Sequence, residues 1–269
     1  MAMGTNADST GGWVRALGLA SAAGPGSEVG IAARLVGTGR FWGRDADKTF
    51  PAASTIKVMI LVALARAVDA GRLGLDDRVR LLPQDVAGGT GVLASMQPDL
   101  VLSLRDYAYL MIAVSDNTAT NVLLRVVGLD RVQQTITGLG LRQTGLVRYF
   151  VDRSPDAQQP YNYTSANDLV TTLSLIATGR AASAAMCAEM QGLLQLQQDR
   201  ERLARYLPAS VGFGGKSGTL TGIIHDCGLL ATPNGTIAAA VLTWNVQDRY
   251  NAQTLIGRIG TSLVDEVWA

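Results

Sequence analysis

Strand patterns stand at both ends of this chain, and a long helical stretch lies between them. The predicted strands cover residues 29–36, 40–42, 211–219, 225–232 and 236–245. The turn sequences Gly37-Thr38-Gly39 and Pro233-Asn234-Gly235 separate neighbouring strands, as expected of antiparallel hairpins. The simplest packing joins the terminal strands in one antiparallel sheet and leaves the central helices to form a second lobe. A cleft between two such lobes is a natural place for a functional site.

The helical middle carries recognisable start and stop signals. Predicted helices cover about 55–70, 118–127, 130–137 and 251–266. Another begins at the Ser103–Asp106 capping box and ends near Val114. A further one begins at the Ser165–Asp168 cap and ends at Gly179, and helices continue from there to about Leu203. Residues 141–163 show no periodicity and predict a long loop, a feature that is often functional in compact domains. We therefore predict an α/β fold of the α+β kind. It forms one domain over 1–269, with a sheet lobe at about 12–53 and 205–269 and a helical lobe at about 54–204.

The overall charge argues against several classes of partner. The formal net charge is +1 over 269 residues, so electrostatics gives no reason to expect nucleic acid or an anionic membrane. Hydrophobic residues make up 48% of the chain and charged residues 17%, which is ample material for a core. No apolar run has the length needed to span a bilayer. We expect a monomer that binds neither nucleic acid nor membrane.

The first residues do not resemble a secretory signal, because no basic segment is followed by an apolar one. We therefore expect either a cytoplasmic protein or an exported protein whose signal has been removed. The two cysteines, Cys187 and Cys227, are too few for a disulfide framework and lack a metal-ligand spacing. They are predicted to be buried thiols, and no metal is expected.

Lysine is rare in this chain. It occurs only at Lys48, Lys57 and Lys216, whereas 20 of the 23 residues counted as Lys or Arg are arginine. Arginine stays protonated in proteins, but a buried lysine can lose its proton. A lysine kept in such a sequence is therefore a candidate for proton transfer, and two of the three lie in motifs.

The first motif, Ser54-Thr55-Ile56-Lys57, stands at the start of the predicted apolar helix. One helical turn separates Ser54 from Lys57, so both side chains share one face. A partly neutral Lys57 could take the proton of the Ser54 hydroxyl, and the helix N–H groups favour developing negative charge. Taken alone, the motif also fits a helix cap followed by a solvated lysine, although its apolar flanks favour burial.

The other two motifs have ordinary explanations when each is taken alone. Ser115-Asp116-Asn117 between two helices fits a helix cap and turn. Lys216-Ser217-Gly218-Thr219 in a strand pattern fits a charge on an edge strand. Together, in this order and in these contexts, the three motifs resemble the signature set of class A β-lactamases and penicillin-binding proteins.

The resemblance extends over nearly the whole chain from about Val29. It includes the stretches Phe50–Lys57, Gly91-Val92-Leu93, Leu110–Asn121 and His225-Asp226. It implies a β-lactamase/transpeptidase-like fold and a serine hydrolase that needs no metal or cofactor. The implied substrate is a small molecule, either a β-lactam, another amide, an ester or a D-amino-acid peptide.

The resemblance also implies a role for each motif residue. Ser54 would attack the carbonyl carbon, and Lys57 would take part in activating it. Ser115, helped by the charge of Lys216, would relay a proton to the leaving nitrogen. The backbone N–H groups of Ser54 and Thr219 would form the oxyanion hole. The implied substrate-binding residues are Asn117, Ser217, Gly218 and Thr219.

One residue of the family has no counterpart here. Class A enzymes carry a Glu-x-x-x-Asn segment in the loop after the second motif, and its Glu activates the water that frees the acyl-enzyme. This chain has four glutamates, and none lies in residues 141–163. Arg148 resembles the arginine at the start of that loop, but the position where Glu is expected is aromatic or aliphatic. Asp152 and Asp156 are the nearest carboxylates, and Asp152 is the candidate for the missing base.

The missing glutamate leaves several activities open. A β-lactamase, an esterase, a peptidase or an acyltransferase would each turn over through an acyl-Ser54 intermediate. A binding protein would instead trap β-lactams or peptides covalently, with little turnover. The usual cation for a substrate carboxylate is also not evident, and His225 and Arg249 are the candidates.

Overall fold

The two ends of the chain meet in one sheet in the computed structural model, which describes residues 11–97, 99–150 and 161–268. The strands are β1 (Glu28–Leu35), β2 (Phe41–Arg44), β3 (Phe50–Pro51), β4 (Arg78–Arg80), β5 (Val101–Ser103), β6 (Tyr163–Thr164), β7 (Gly212–Leu220), β8 (Ile223–Thr232) and β9 (Gly235–Trp244). Five of them form the main sheet in the order β2-β1-β9-β8-β7, with neighbours antiparallel, while β3 pairs with β6 and β4 with β5. The predicted antiparallel sheet is confirmed.

Helices cover both faces of this sheet. They are α1 (Gly11–Ser21), α2 (Lys57–Asp69), α3 (Leu104–Ala113), α4 (Asn117–Val127), α5 (Leu129–Gly138), α6 (Ala166–Ala177), α7 (Ala184–Gln195) and α8 (Arg249–Trp268). Within the described part of the chain, no helix combines the length and apolarity that crossing a membrane requires. The predicted α+β class is therefore confirmed.

Side chains of the sheet alternate between two cores. In β1, Ile31 and Ala33 face a cluster formed with α1 and α8, whereas Ala32 faces the cluster of the other helices. This is the two-residue period of a strand that is covered on both faces. The division into a sheet lobe and a helical lobe within one domain remains a prediction.

Helix α1 was not expected from the sequence. It lies against α8 so closely that a Cβ on Gly12 would stand 2.4 Å from the Ser262 carbonyl oxygen. The Trp13 N–H donates to Glu266 at 2.8 Å, which ties the start of α1 to the end of α8. Contacts with α8 therefore stabilise a short, glycine-rich helix that would be marginal by itself.

The two predicted helix caps differ in the hydrogen bonds that their aspartates accept. The Ser103 hydroxyl accepts from the Asp106 N–H at 3.1 Å, and Asp106 accepts from the Ser103 N–H at 3.0 Å, which is a full capping box. Ser165 likewise accepts from the Asp168 N–H at 3.1 Å. The Asp168 carboxylate instead accepts from Gln143 N–H at 2.7 Å, so it ties the start of the long loop to α6.

The prediction that helices continue to about Leu203 is wrong, because α7 ends at Gln195. Tertiary hydrogen bonds hold the following backbone in another shape. The Gln198 N–H donates to the Ala113 carbonyl at 3.0 Å, and the Leu203 N–H donates to the Asp226 carboxylate at 3.0 Å. These partners belong to α3 and β8, which are distant in the sequence, so the local hydrophobic pattern does not predict them.

Both cysteines are buried free thiols, as predicted. The Cys227 thiol lies 3.4 Å from the Lys216 carbonyl oxygen. Burial is the main cause that raises the pKa of Cys227 far above its ordinary value, so this thiol stays protonated.

Candidate active site

An open cleft of about 1450 Å³ brings the three sequence motifs together beside the edge strand β7. The motif residues that line it are Ser54, Ser115, Asn117, Lys216, Ser217 and Thr219. Lys57 is fully buried at the start of α2. Segments far apart in the sequence therefore converge at one place.

Ser54 lies in a 3-10 turn, Ala53–Ile56, that runs directly into α2. Residues three apart eclipse each other in such a turn, so Ser54 and Lys57 share one face more closely than in an α-helix. Ala53 has a φ of +47°, which is a strained conformation for a residue other than glycine. The Thr55 hydroxyl donates to the Ala52 carbonyl at 2.6 Å and holds the turn in this shape.

The Lys57 amino group contacts three oxygen atoms. Its Nζ is 2.8 Å from the Ser115 carbonyl oxygen, 2.8 Å from Asn117 Oδ1 and 3.1 Å from Ser115 Oγ. The first two oxygens can only accept hydrogen bonds, and a neutral amine has two N–H groups to donate to them. The remaining lone pair of a neutral Lys57 can then accept one hydroxyl proton, from Ser115 or from Ser54 one turn away.

The surroundings of Lys57 favour that neutral form. Burial, followed by the positive charge of Lys216, holds the pKa of Lys57 well below its ordinary value, and Asp116 opposes this only in part. A lysine whose pKa is lowered in this way can act as a proton acceptor, which an arginine at the same place could not.

Asp116 fixes the turn that presents Ser115 and Asn117. Its buried carboxylate accepts from the Ala119 N–H at 2.8 Å, as a cap of α4, and from the Val92 N–H at 2.6 Å. Ser115 has a φ of +57°, so the turn holds the residue in a conformation it would rarely adopt. The cap expected of this motif is therefore present, and it aims the side chains of its neighbours.

The edge of β7 presents backbone N–H groups to the cleft. The Ser217 N–H donates to Gln197 Oε1 at 2.6 Å, away from the partner strand β8. N–H groups two residues apart point to the same side of a strand, so the Thr219 N–H also faces this open edge. A Cβ on Gly218 would lie 3.2 Å from the Ser54 nitrogen, which shows how closely β7 approaches the nucleophile turn.

Arg202 is a buried cation of the cleft that sequence analysis missed. Its Nη1 donates to the Gly218 carbonyl at 2.7 Å, and its Nη2 donates to the Thr219 hydroxyl at 2.6 Å. The Asp199 carboxylate lies 3.0 Å from Nη2 and pairs with this charge. The segment was predicted to be helical, so no sequence signal distinguished Arg202 from the other arginines.

Lys216 lies next to this arginine and is fully buried. Its Nζ donates to the Ser217 carbonyl at 2.8 Å. Burial and the neighbouring charge of Arg202 lower the pKa of Lys216 to about 8. Lys216 therefore keeps most of its charge at neutral pH.

His225 is not available as a cation for a ligand. Its Nδ1 accepts from the Thr243 N–H at 3.0 Å, so its Nε2 donates to the Pro51 carbonyl at 2.8 Å. Burial lowers the pKa of His225 to about 4, and the ring is neutral at neutral pH. Arg249, the other candidate, lines the cleft at the start of α8.

The described part of the long loop places Phe150 against Lys57. The ring centroid of Phe150 lies 4.8 Å from Lys57 Nζ, and the Phe150 N–H donates to Asn121 Oδ1 at 2.8 Å. An aromatic ring thus stands in the stretch where the sequence lacks the expected Glu. Asp152 and Asp156 lie outside the described residues.

Comparisons with known proteins agree with this arrangement. The model of the β-lactamase enzyme family matches residues 14–267. Among curated relatives, the β-lactamase CARB-3 of Pseudomonas aeruginosa is 23% identical over 195 residues, which cover 71% of this chain and 67% of that protein. A β-lactamase of Streptomyces lavendulae is 26% identical over 215 residues, which cover 77% of this chain and 70% of that protein.

Solved structures are similar over almost the full length. A β-lactamase from Sphaerobacter thermophilus superposes with a TM-score of 0.90 at 37% identity, covering 95% of this chain and 98% of that chain. The protein PBP-A superposes with a TM-score of 0.85 at 27% identity, covering 94% of each chain. A mutant of PBP-A, solved as an acyl-enzyme complex with penicillin G, has a TM-score of 0.84 at 28% identity and covers 94% of each chain. The chain belongs to the β-lactamase enzyme family and is a β-lactamase-like serine hydrolase of the class A type.

Proposed function

We propose that this hydrolase forms an acyl-Ser54 intermediate with β-lactams, or with related small amides and esters, and releases the acyl group slowly. The observation that carries the proposal is the environment of the Lys57 amino group. This amino group is fully buried, burial and the charge of Lys216 lower its pKa, and the Phe150 ring centroid lies 4.8 Å from its Nζ.

Acylation begins with loss of the Ser54 proton to Lys57, which becomes positively charged. Ser54 Oγ then forms a bond to the carbonyl carbon, and the carbonyl oxygen takes the negative charge. The N–H groups of Ser54 and Thr219 are the proposed donors to that oxygen. Such donors are worth about 10²–10³-fold in rate each.

Collapse of this intermediate breaks the bond from carbon to the leaving group. Ser115 donates its proton to the leaving nitrogen and regains one from protonated Lys57, whose Nζ lies 3.1 Å from Ser115 Oγ. Lys216 favours this step through its charge. Asn117, Ser217, Gly218 and Thr219 are the proposed substrate-binding residues, and Arg202 adds a cation for a substrate carboxylate.

Release of the acyl group requires a base for the attacking water. A general base is typically worth about 10²–10⁴-fold. Phe150 cannot accept a proton, and its apolar ring lies 4.8 Å from Lys57 Nζ, in the loop where the family carries its glutamate. This supports a penicillin-binding protein with little turnover over an efficient β-lactamase.

Ser54 is expected to be the only residue labelled by a fluorescent penicillin or a fluorophosphonate. The reason is its place in the strained turn beside a buried neutral amine. Labelling is read by gel fluorescence and located by peptide mass spectrometry. Label that persists in Ser54→Ala would refute the assignment.

The substitution Lys57→Arg is expected to slow acylation by about 10²-fold or more, the usual loss of a general base. Arginine keeps the positive charge but does not accept a proton. The measurement is the second-order rate of penicillin labelling, with thermal unfolding as the control for folding. A nearly unchanged rate would mean that Lys57 acts only as a fixed charge.

The acylation rate is expected to pass through a maximum with pH. It should rise as Lys57 loses its proton, at a pH below that of an ordinary lysine, because the pKa of Lys57 is lowered. It should fall again around pH 8, where Lys216 loses its charge. In a folded Lys216→Arg variant the alkaline fall should disappear, and a fall that remained would assign it to another group.

The substitution Phe150→Glu is expected to speed release of the penicilloyl group by about 10²–10⁴-fold, because it places a carboxylate next to Lys57. Phe150→Leu is the matched control and should gain nothing. Intact-protein mass spectrometry after mixing should show the acylated mass for wild type and Phe150→Leu, and free protein for Phe150→Glu.

Rapid consumption of penicillin by wild type, with free protein dominant, would contradict slow release. Another group would then activate the water, and Asp152 would be the first candidate. Accumulation of acyl-enzyme only in Asp152→Asn would assign that role.

A further inference from the structure

One residue of the cleft wall contacts both residues whose oxygens hold the Lys57 amine. Thr90 is exposed and lines the cleft. Its hydroxyl donates to the Ser115 carbonyl at 2.6 Å, and its own carbonyl accepts from the Asn117 N–H at 3.0 Å. Thr90 therefore bridges the second motif on both sides of Asp116.

The glycines beside Thr90 let this segment approach the motif closely. Gly89 has a φ of +92° and Gly91 a φ of +116°, a region that favours glycine. A Cβ on Gly89 would stand 2.8 Å from Asn117 Nδ2. The shape of this backbone, which other residues would rarely adopt, brings the Thr90 hydroxyl onto the Ser115 carbonyl.

The Ser115 carbonyl oxygen accepts two hydrogen bonds, from Thr90 at 2.6 Å and from Lys57 Nζ at 2.8 Å. A carbonyl oxygen has two lone pairs, so both are used. The hydroxyl proton of Thr90 reduces the negative potential that this oxygen presents to Lys57. A protonated amine depends on that potential more than a neutral one, so the hydrogen bond from Thr90 favours the neutral form.

The charged groups that act on Lys57 come from two other elements. Burial is the main cause of its lowered pKa, Lys216 on β7 adds to it, and Asp116 before α4 opposes it. The Phe150 ring on the loop side carries no charge. Thr90 acts in the same direction as Lys216 but through a neutral group. Removing its hydroxyl therefore tests one hydrogen bond without changing the net charge of the site.

We propose that Thr90 is a positioning residue, whose hydroxyl occupies the Ser115 carbonyl oxygen and thereby keeps the Lys57 amine in the neutral form that takes the Ser54 proton. The inference rests on the proposed function, since it assigns Lys57 the role of base. Thr90 acts through Ser115 and does not itself react.

The titration of Lys57 can be followed directly by NMR. The chain has three lysines, so lysine labelled with ¹³C at Cε gives three signals, and the signal lost in Lys57→Arg is that of Lys57. Thr90→Val removes the hydroxyl and keeps the shape, whereas Thr90→Ser keeps the hydroxyl.

The titration midpoint of Lys57 is expected to rise by about 0.5 pH unit in Thr90→Val, the low end of the free energy of one neutral hydrogen bond. In Thr90→Ser it should stay at the wild-type value. An unchanged midpoint in Thr90→Val, or an equal rise in Thr90→Ser, would overturn the proposal. Thermal unfolding is the control for folding of each variant.

Acylation of Ser54 by penicillin G gives a second readout. On the acidic limb of the pH profile, Thr90→Val should react about threefold more slowly than wild type, the factor that corresponds to about 0.5 pH unit. Above that limb the two rates should agree. A loss that is equal at every pH would mean that the turn is only loosened, and would contradict the proposal. If penicillin G does not acylate wild type, the proposed function has failed, and the NMR titration still decides whether Thr90 controls Lys57.

Thr118→Val is the matched control for the attachment of this segment. The Thr118 hydroxyl accepts from the Ala87 N–H at 3.0 Å, so it holds the same segment at Ala87 instead of at Ser115. The proposal requires the Lys57 midpoint in Thr118→Val to stay at the wild-type value. A rise equal to that in Thr90→Val would show that any loosening of the segment affects Lys57, and would count against a specific role of the Thr90 hydroxyl.

Discussion

The burial of the Lys57 amino group is the constraint on which the rest of the site depends. An amine removed from water must either be neutral or have a close counter-ion. Here it contacts the carbonyl oxygen of Ser115 and the amide oxygen of Asn117, both at 2.8 Å, and both are uncharged acceptors. Such partners accept hydrogen bonds from either form of the amine, but they carry no full negative charge that would offset the cost of burying the charged form. The lowered pKa of Lys57 thus follows from packing, and the Ser115–Asn117 turn has to be rigid to maintain it.

That rigidity is supplied by Asp116, which does not enter the cleft as a reactive group. Its carboxylate accepts backbone N–H groups from α4 and from the segment at Val92, and a Cβ on Gly91 would stand 2.3 Å from it. The close packing of Gly91 leaves no room for the turn to shift. A helix cap and a catalytic turn are therefore not competing interpretations of the second motif. The cap sets the strained conformation in which Ser115 can reach Lys57.

Site residues that lie in motifs of fixed local spacing could be predicted from the sequence. Site residues that depend on tertiary contacts could not. The 3-10 turn, the capped α4 and the strand β7 each present a motif in the predicted context, so their meeting in one cleft could be anticipated. Arg202 and Gln197 could not be found, because their partners Thr219 and Ser217 lie on another element. The same cause explains the wrongly extended helix after α7. Helix α1 was missed because its packing partner, α8, comes from the far end of the chain.

Three buried basic side chains, Arg202, Lys216 and Lys57, influence one another's protonation. Arg202 stays charged, and its field lowers the pKa of Lys216 to about 8. The charge of Lys216 in turn lowers the pKa of Lys57, which burial already lowers. In the proposed reaction, a substrate carboxylate bound beside Arg202 and Lys216 would offset their field and make Lys57 more basic. Substrates with an anionic group would therefore strengthen the base that activates Ser54. Binding of the substrate carboxylate and activation of Ser54 would then depend on the same charged side chains, Arg202 and Lys216.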